Sequence, residues 1–186
     1  MTLNIAWGIT GCGDRLEETL HLMEQINKEC DVKIDVYLSK NAVLVIKKYD
    51  LFKELKKHFE VTIERGPNTP FIIADLQLGK FDLLIICPAT GNTTAKIAYG
   101  IADTLLSNAV AQAMKTQLPI YIYPADQKEG DIITTLPDGR KLTLTMRNID
   151  IENTEKLKRM AGINVIETPQ RIREIIPQWH QDFVTK

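Results

Sequence analysis

The sequence predicts an α/β protein: a single doubly wound, Rossmann-like, mostly parallel sheet flanked by helices, with a β-hairpin excursion near 131–146. Three observations carry this. Short apolar runs alternate with helical periodicities along most of the 186 residues. One run, Leu83 to Cys87, contains no polar residue, as expected of a strand buried on both faces. Small polar loops follow the apolar runs, where strand gives way to helix. The length fits one domain over 1–186, large enough to bury a full core.

Each element has its own justification. Leu3 to Trp7, ending at Gly8, reads as the first buried strand. Leu16, Leu20, Met23 and Ile26 then recur at three- and four-residue steps, which predicts a helix with Asp14 as its N-cap. Val32, Ile34, Val36 and Leu38 alternate with polar residues at strand spacing. Asn41–Tyr49 and Leu51–Phe59 read as helices, Val61–Ile63 as a strand, and RGPNTP as turn. After the Leu83–Cys87 strand comes one long helix, from about Thr93 to Lys115, and then a strand at Ile120–Tyr123. Asp138-Gly139 between ITTLP and KLTLTM predicts the hairpin. A helix from about Thr154 ends at Gly162, Val165-Ile166 is a short strand, and Thr168-Pro169 open a last helix towards Trp179.

Composition narrows the function classes. Hydrophobic residues at 44% and charged residues at 25% are ordinary for a globular protein. The formal net charge of −1 argues against nucleic acid or an anionic membrane as the main partner. No apolar run reaches the length of a membrane span, and MTLNIAWGITG lacks the basic and apolar regions of a signal peptide. Cys12, Cys30 and Cys87 show no CxxC spacing, so neither a disulfide framework nor a metal site is expected. The expected location is the cytoplasm.

In a doubly wound sheet a ligand sits at the carboxyl ends of the strands, near the switch in strand order. The loops there are GITGCGD, LSKN, CPATGNTT and YPADQKEG, all small, polar and low in net charge. A helix opening at Thr93 offers unpaired N–H groups and a partial positive charge, which suit a phosphate. The ligand this suggests is a mononucleotide. Structural readings stand beside it: GITGCG as a tight turn only, Ser39 as an N-cap, CPATGNTT as pure capping. GITGCG is not the Gly-x-Gly-x-x-Gly of dinucleotide folds, and the second strand ends without an acid for a ribose.

PATGNTTAKIAYGIADTLLSN resembles the Pro-Ala-Ser-Ala-Asn-Thr segment and Gly-x-Ala-Asp-x-Leu-Leu helix of the homo-oligomeric flavin-containing cysteine decarboxylase family of flavoproteins. Gly8 to Gly11 and Leu38-Ser39 match in the same order, so the resemblance spans roughly 3–125. YPADQ, the TLPDGR hairpin and NTEKLKRMAGINVIETPQRI are most similar to the archaeoflavoprotein and dihydromethanopterin reductase-like members. The resemblance implies FMN as cofactor and a homo-oligomer, a trimer or a multiple of trimers, with sites at subunit interfaces. It implies that Gly8, Ile9, Thr10 and Ser39 contact the flavin nucleotide, that Thr90, Gly91, Asn92 and Thr93 form a second wall, and that Ser107 and Asn108 add a later contact. Gly11, Asn41, Pro124, Ala125 and Gln127 complete the candidate set from the same loops. Ala95, Ala98, Gly100, Ala102, Ala109 and Ala111 would make the long helix small-sided, with Gly100 costing about 1 kcal/mol in its interior.

The decarboxylases carry a histidine before the strand that ends in Pro-Ala; here PFIIADLQLGKFD has none, which disfavours a decarboxylase. His21, His58 and His180 show no partner at metal or triad spacing, and no metal is expected. Cys12 and Cys87 near the predicted flavin read first as buried structural thiols, and Trp7 and Tyr123 as core aromatics that alternatively flank the flavin ring. Lys96 reads as a helix-face charge and Asp103 as a buried anchor. The expected function is an FMN-binding oxidoreductase or electron-transfer flavoprotein supplied by a ferredoxin-type donor. A dihydropterin reductase is the alternative, with Asp126, Gln127, Arg147 or Asp150 at the pterin edge under the hairpin. A non-catalytic flavin carrier is the third reading. No catalytic residue is assigned.

Overall fold

The computed structural model describes residues 2–69 and 71–184, with the backbone alone for 178 and 180–184. Its first half runs β1 (Leu3–Ile9), α1 (Leu16–Glu29), β2 (Val32–Leu38), α2 (Lys40–Lys48), α3 (Phe52–His58), β3 (Glu60–Ile63), α4 (Ile72–Gln77) and β4 (Leu83–Ala89). The second half runs α5 (Gly91–Ala98), α6 (Leu105–Lys115), β5 (Ile120–Pro124), β6 (Asp131–Thr135), β7 (Lys141–Thr145), α7 (Asn148–Lys158), β8 (Ile163–Val165) and α8 (Arg171–Val184).

Six strands form one parallel sheet in the order β3-β2-β1-β4-β5-β8, and β6-β7 form a separate antiparallel hairpin. The chain winds outward from β1 through β2 to β3, then returns beside β1 as β4 and continues to β5 and β8. The switch in strand order therefore falls between β1 and β4.

Two-residue periodicity sorts the strand side chains into two layers. Leu3, Ile5, Trp7 and Ile9 of β1 join Ile34, Val36, Leu38, Leu83 and Ile85 against α1, α2, α3 and α8. Ala6, Leu84, Ile86, Ile120 and Ile122 point the other way, onto α4, α5 and α6. Trp7 is fully buried and its Nε1–H donates to Cys87 O at 2.9 Å, so it is a core residue and not a flavin-flanking one.

Several expected boundaries are corrected. The single long helix is two helices. After Ala98 the chain turns at Gly100, whose φ of +71° places it in the left-handed region, and Thr104 starts α6 with a reciprocal cap to Ser107. Gly100 therefore carries no helix-interior cost, and no neighbour lies within 4 Å of a Cβ built on it. Asp14 does not cap α1; Arg15 occupies that position, left-handed at φ 51°, with no side-chain cap bond. The short helix α4 was not foreseen, since six residues with two buried anchors, Ile72 and Leu76, are too few to show a period. α7 starts at Asn148, six residues before expectation, and β8 occupies Ile163–Val165. Among the described residues no helix is long and apolar enough to cross a membrane.

Candidate functional site

A cavity of about 430 Å³ opens at the carboxyl ends of β1, β2, β3 and β4, at the switch point. Three helix N-termini meet there: Ser39, Lys40 and Asn41 at α2, Thr90, Asn92 and Thr93 at α5, and Thr104 and Leu106 at α6. Each helix is capped by a hydroxyl. Ser39 Oγ accepts from Ala42 N–H at 3.1 Å, Thr90 Oγ1 from Thr93 N–H at 3.3 Å, and Thr104 Oγ1 from Ser107 N–H at 3.3 Å. Capping and lining are thus the same residues in the same place. Three partial positive charges converge on one cavity, which suits an anionic group.

Thr10 fixes the opening between β1 and β4. Its hydroxyl donates to Pro88 O at 2.9 Å and accepts from Thr90 N–H at 2.8 Å. Gly11 packs so close to α2 that a Cβ there would lie 2.6 Å from Asn41 Cβ. The side-chain amides of Asn41 and Asn92 have no partner among the described residues, which leaves them for a ligand.

Sequence reasoning missed the acid in this site. Glu64, 9% exposed, accepts Lys40 N–H at 3.0 Å through one oxygen and Leu105 N–H at 2.8 Å through the other. One carboxylate therefore joins the N-termini of α2 and α6. Glu64 directly follows β3, so the rule that ligand loops follow strands points to it. Its strand is short, and Glu64 falls between the expected strand at Val61–Ile63 and the turn RGPNTP, in neither of them. The roles expected of Lys96 and Asp103 are reversed: Asp103 is the more exposed partner, and the two pair at 2.8 Å on the cavity rim. Lys40 and Lys96 balance Glu64 and Asp103 in the lining, so an anion there is met by helix ends and amides and not by excess cations.

Of the candidates, Thr10, Gly11, Ser39, Asn41, Thr90, Asn92 and Thr93 line the cavity. The others do not. Gly8 lies beneath it, where a Cβ would meet Leu106 and Ile86 at 2.7 and 2.8 Å, and Ile9 is buried in the α1 layer. Ser107 is spent on the α6 cap, and Asn108 Nδ2 holds the lining turn at Gly66 and Pro67 through Pro67 O at 3.0 Å and Asn68 Oδ1 at 2.7 Å. Pro124 ends β5, Ala125 follows it and is buried, and Gln127 Nε2 is committed to Pro124 O at 2.9 Å and Ile166 O at 3.0 Å.

Gly91 faces another group. Its N–H donates to Asp126 Oδ2 at 3.1 Å, and a Cβ on it would lie 2.7 Å from that oxygen and 2.9 Å from Asp150 Oδ1. Arg147 grips Asp150 with two bonds of 2.7 Å. Burial, reinforced by Asp150, raises the Asp126 pKa against the opposing Gly91 N–H and Arg147. A carboxyl raised on folding costs stability as pH climbs from its unfolded value, about 3.9, through its folded one, and the cost persists above that. Asp126→Asn is therefore expected to gain stability over the parent as pH rises from about 4, and the gain should level off once the parent's Asp126 is ionised. Urea midpoints between pH 4 and 8 check this; a difference flat with pH would refute it.

Cys12 has its thiol pushed up to about 12 by burial, which holds it protonated, and Cys87 is raised further by the same cause. The hairpin does not roof this chain's own strand-end cavity. It rests on Tyr49, whose hydroxyl donates to Thr135 O at 2.8 Å, and with Gly13–Glu18 it lines a separate cavity of about 240 Å³. The reading of His58 is corrected. Its Nε2 lies 2.7 Å from Glu54 and 4.0 Å from Glu24, and the three ligand atoms fall within 4.8 Å of one another. Lys57 and Lys28 pair with the same two carboxylates. The side chain of His180 lies outside the described residues.

A doubly wound sheet whose switch point holds a cavity walled by three capped helix ends defines a mononucleotide-binding protein. The family model described as Flavoprotein matches residues 1–181, and this chain belongs to that family. It is 51% identical over 175 residues to an uncharacterised protein of Methanocaldococcus jannaschii, covering 94% of each. A dihydromethanopterin reductase (acceptor) of the same organism is 39% identical over 162 residues, which span 81% of this chain and 66% of that one. Among solved structures, Burkholderia xenovorans DmrB in complex with FMN, a cubic protein cage for redox transfer, superposes with a TM-score of 0.83 at 28% identity, covering 97% of each chain.

Proposed function

We propose that this flavoprotein is an FMN-dependent oxidoreductase that takes electrons from a ferredoxin-type donor. The observation that carries the reading is the convergence of the α2, α5 and α6 N-termini on one cavity. The donor set fits FMN. The volume is in the range of small-cofactor sites, about 300–1,000 Å³, and the lining offers hydroxyls, two unpartnered amides and helix ends. Among the described residues each helix end offers one free first-turn N–H: Asn92 at α5, where Asp126 holds Gly91 N–H and Thr90 holds Thr93 N–H, and Asn41 at α2 and Leu106 at α6, where Glu64 and the capping hydroxyls of Ser39 and Thr104 hold the others. Ser39, Asn41, Asn92 and Thr93 would hold the phosphate and ribitol, with Thr10 and Gly11 shaping the wall. When bound, FMN supplies the electron chemistry, and the chain binds it, orients it and sets its surroundings.

The protein works as a homo-oligomer in this reading, a trimer or a multiple of trimers. Tyr99 and Ile101 support it: both are exposed apolar side chains on the α5–α6 connection beside the cavity rim, and the FMN-bound DmrB relative is a cage. The visible spectrum of the purified protein, with the mass of any released chromophore, tests the central claim. A flavin spectrum with the mass of FMN is expected. A colourless protein that also refuses added FMN would sink it.

A second reading, reduction of a dihydropterin, is favoured by the Asp126–Asp150–Arg147 group beside the start of α5 and by the reductase relative. Those three residues would supply acceptors and donors for a pterin edge; Gln127 would offer only its Oε1, since its Nε2 is already committed. Anaerobic turnover of a dihydropterin by reduced, FMN-loaded protein checks it. Unchanged turnover in Asp126→Asn would remove Asp126 from the pterin site.

A further inference from the structure

Lysines elsewhere in the chain mostly sit against a neighbouring acid, as in Lys28–Glu24, Lys80–Asp75, Lys96–Asp103 and Lys158–Glu155. The α2–α3 pair departs from that pattern. Lys40, Leu44, Lys47 and Lys48 recur at helical spacing along the exposed face of α2, and Lys53, Lys56 and Lys57 along that of α3. Lys47 and Lys56 approach one ring, Phe52, at 5.2 and 5.9 Å, and so bring the two lysine faces together. Lys40, Lys48 and Lys53 have no carboxylate partner among the described residues. Six lysines face two carboxylates over residues 40–58, in a chain whose net charge is −1. Leu44, 62% exposed, gives this face an apolar centre.

The face is also placed. Its N-terminal end, Lys40 and Asn41, is the rim of the strand-end cavity. We infer that the α2–α3 face docks a small acidic electron-carrier protein and brings its redox centre to the cavity rim, an inference that rests on the FMN reading above. Charge complementarity selects the partner's sign and speeds encounter. Two adjoining helices present more surface than a small anionic reductant can cover, and a modest patch with one apolar centre suits a transient complex. Two one-electron transfers from the carrier, each oxidising one of its redox centres, with two protons from solvent, balance the two-electron reduction of one FMN.

The test uses a reduced acidic 2[4Fe–4S] ferredoxin as probe and two variants of the full chain. One carries Lys48→Glu, Lys53→Glu and Lys56→Glu; the control carries Lys128→Glu, Lys141→Glu and Lys158→Glu. Binding to both FMN-free and FMN-loaded protein is measured by calorimetry at low salt, and flavin reduction by the carrier and by dithionite is followed by absorbance. The expected result is carrier binding to the parent that weakens with salt, at least tenfold weaker binding and slower reduction in the α2–α3 variant, and little change in the control. Reduction by dithionite should be unaffected in both. Equal loss in both variants, undiminished binding in the α2–α3 variant, or no binding to the parent would overturn the inference. Tighter binding of the parent to a single-stranded oligonucleotide, to anionic vesicles or to a second copy of itself through this face would overturn it too. Binding to the FMN-free protein is read without the cofactor, so failure of the FMN reading shows separately, in the spectrum and the dithionite arm.

Discussion

Glu64→Ala is expected to lower the stability of the folded chain by about 3 kcal/mol, from two hydrogen bonds to a buried charged acceptor at about 1.5 kcal/mol each. The bonds are those to Lys40 N–H at 3.0 Å and Leu105 N–H at 2.8 Å. They matter beyond their number because they belong to the first turns of two different helices, where backbone donors have no partner within the helix. One carboxylate after a four-residue edge strand thereby sets the separation of α2 and α6, and with it the width of the cavity between them. Glu64→Gln retains one acceptor oxygen and sets an amide donor against the second N–H, so it should recover only part of the loss. Urea unfolding followed by circular dichroism measures both. A loss below about 0.5 kcal/mol in the alanine variant would mean that water replaces the carboxylate and that Glu64 does not staple the two helices.

How much of this was legible depended on how local the signal was. The central strands were readable because β4 is buried along its whole length and its composition says so, and the hairpin because Asp138-Gly139 has its own turn chemistry. The break between α5 and α6 was not readable as a break. Gly100, Ala102 and Asp103 are tolerable in a helix, and only the Thr104–Ser107 cap marks a new start. Thr104-Leu-Leu-Ser107 lacks the Glu or Gln usual at the fourth position of a capping box, so that signal was faint. Within the site, sequence located the walls that come from hydroxyl-rich loops, Thr10, Ser39, Thr90 and Thr93. It also assigned residues that serve the site indirectly, such as Asn108 and Ser107, to direct contact. Position along the chain places a residue near a strand end but does not say which way its side chain is spent. Glu64 shows the converse: an acid in a turn reads as solvent-facing until two helix ends are found folded onto it.

Gly11→Val is expected to weaken FMN binding by about 100-fold, roughly 2.7 kcal/mol, while the chain keeps its secondary structure and most of its thermal stability. Gly11 does not occupy the left-handed region, so the cost is steric and not conformational. A Cβ would stand 2.6 Å from Asn41 Cβ and 3.1 Å from the Asn41 carbonyl carbon, and a backbone atom cannot swing aside as a side chain can. Either the 10–13 loop moves into the cavity or the first turn of α2 moves away from it. Both displace Ser39 and Asn41 relative to Thr90 and Thr93, and a site that holds its ligand by hydroxyls, amides and helix ends depends on that spacing. The fold should tolerate the shift, because Gly11 and the exposed Asn41 lie at the cavity mouth and the apolar layers on either side of the sheet do not include them. Gly11→Ala makes the same contact with a smaller group and should lose less affinity, which gives a graded series. Fluorescence titration of FMN into the cofactor-free variants, beside their melting curves, measures it. If Gly11→Val bound FMN as tightly as the parent with an unchanged melting temperature, the flavin would lie elsewhere, and the convergence of three helix ends would be an architectural feature of the fold without a ligand to explain it.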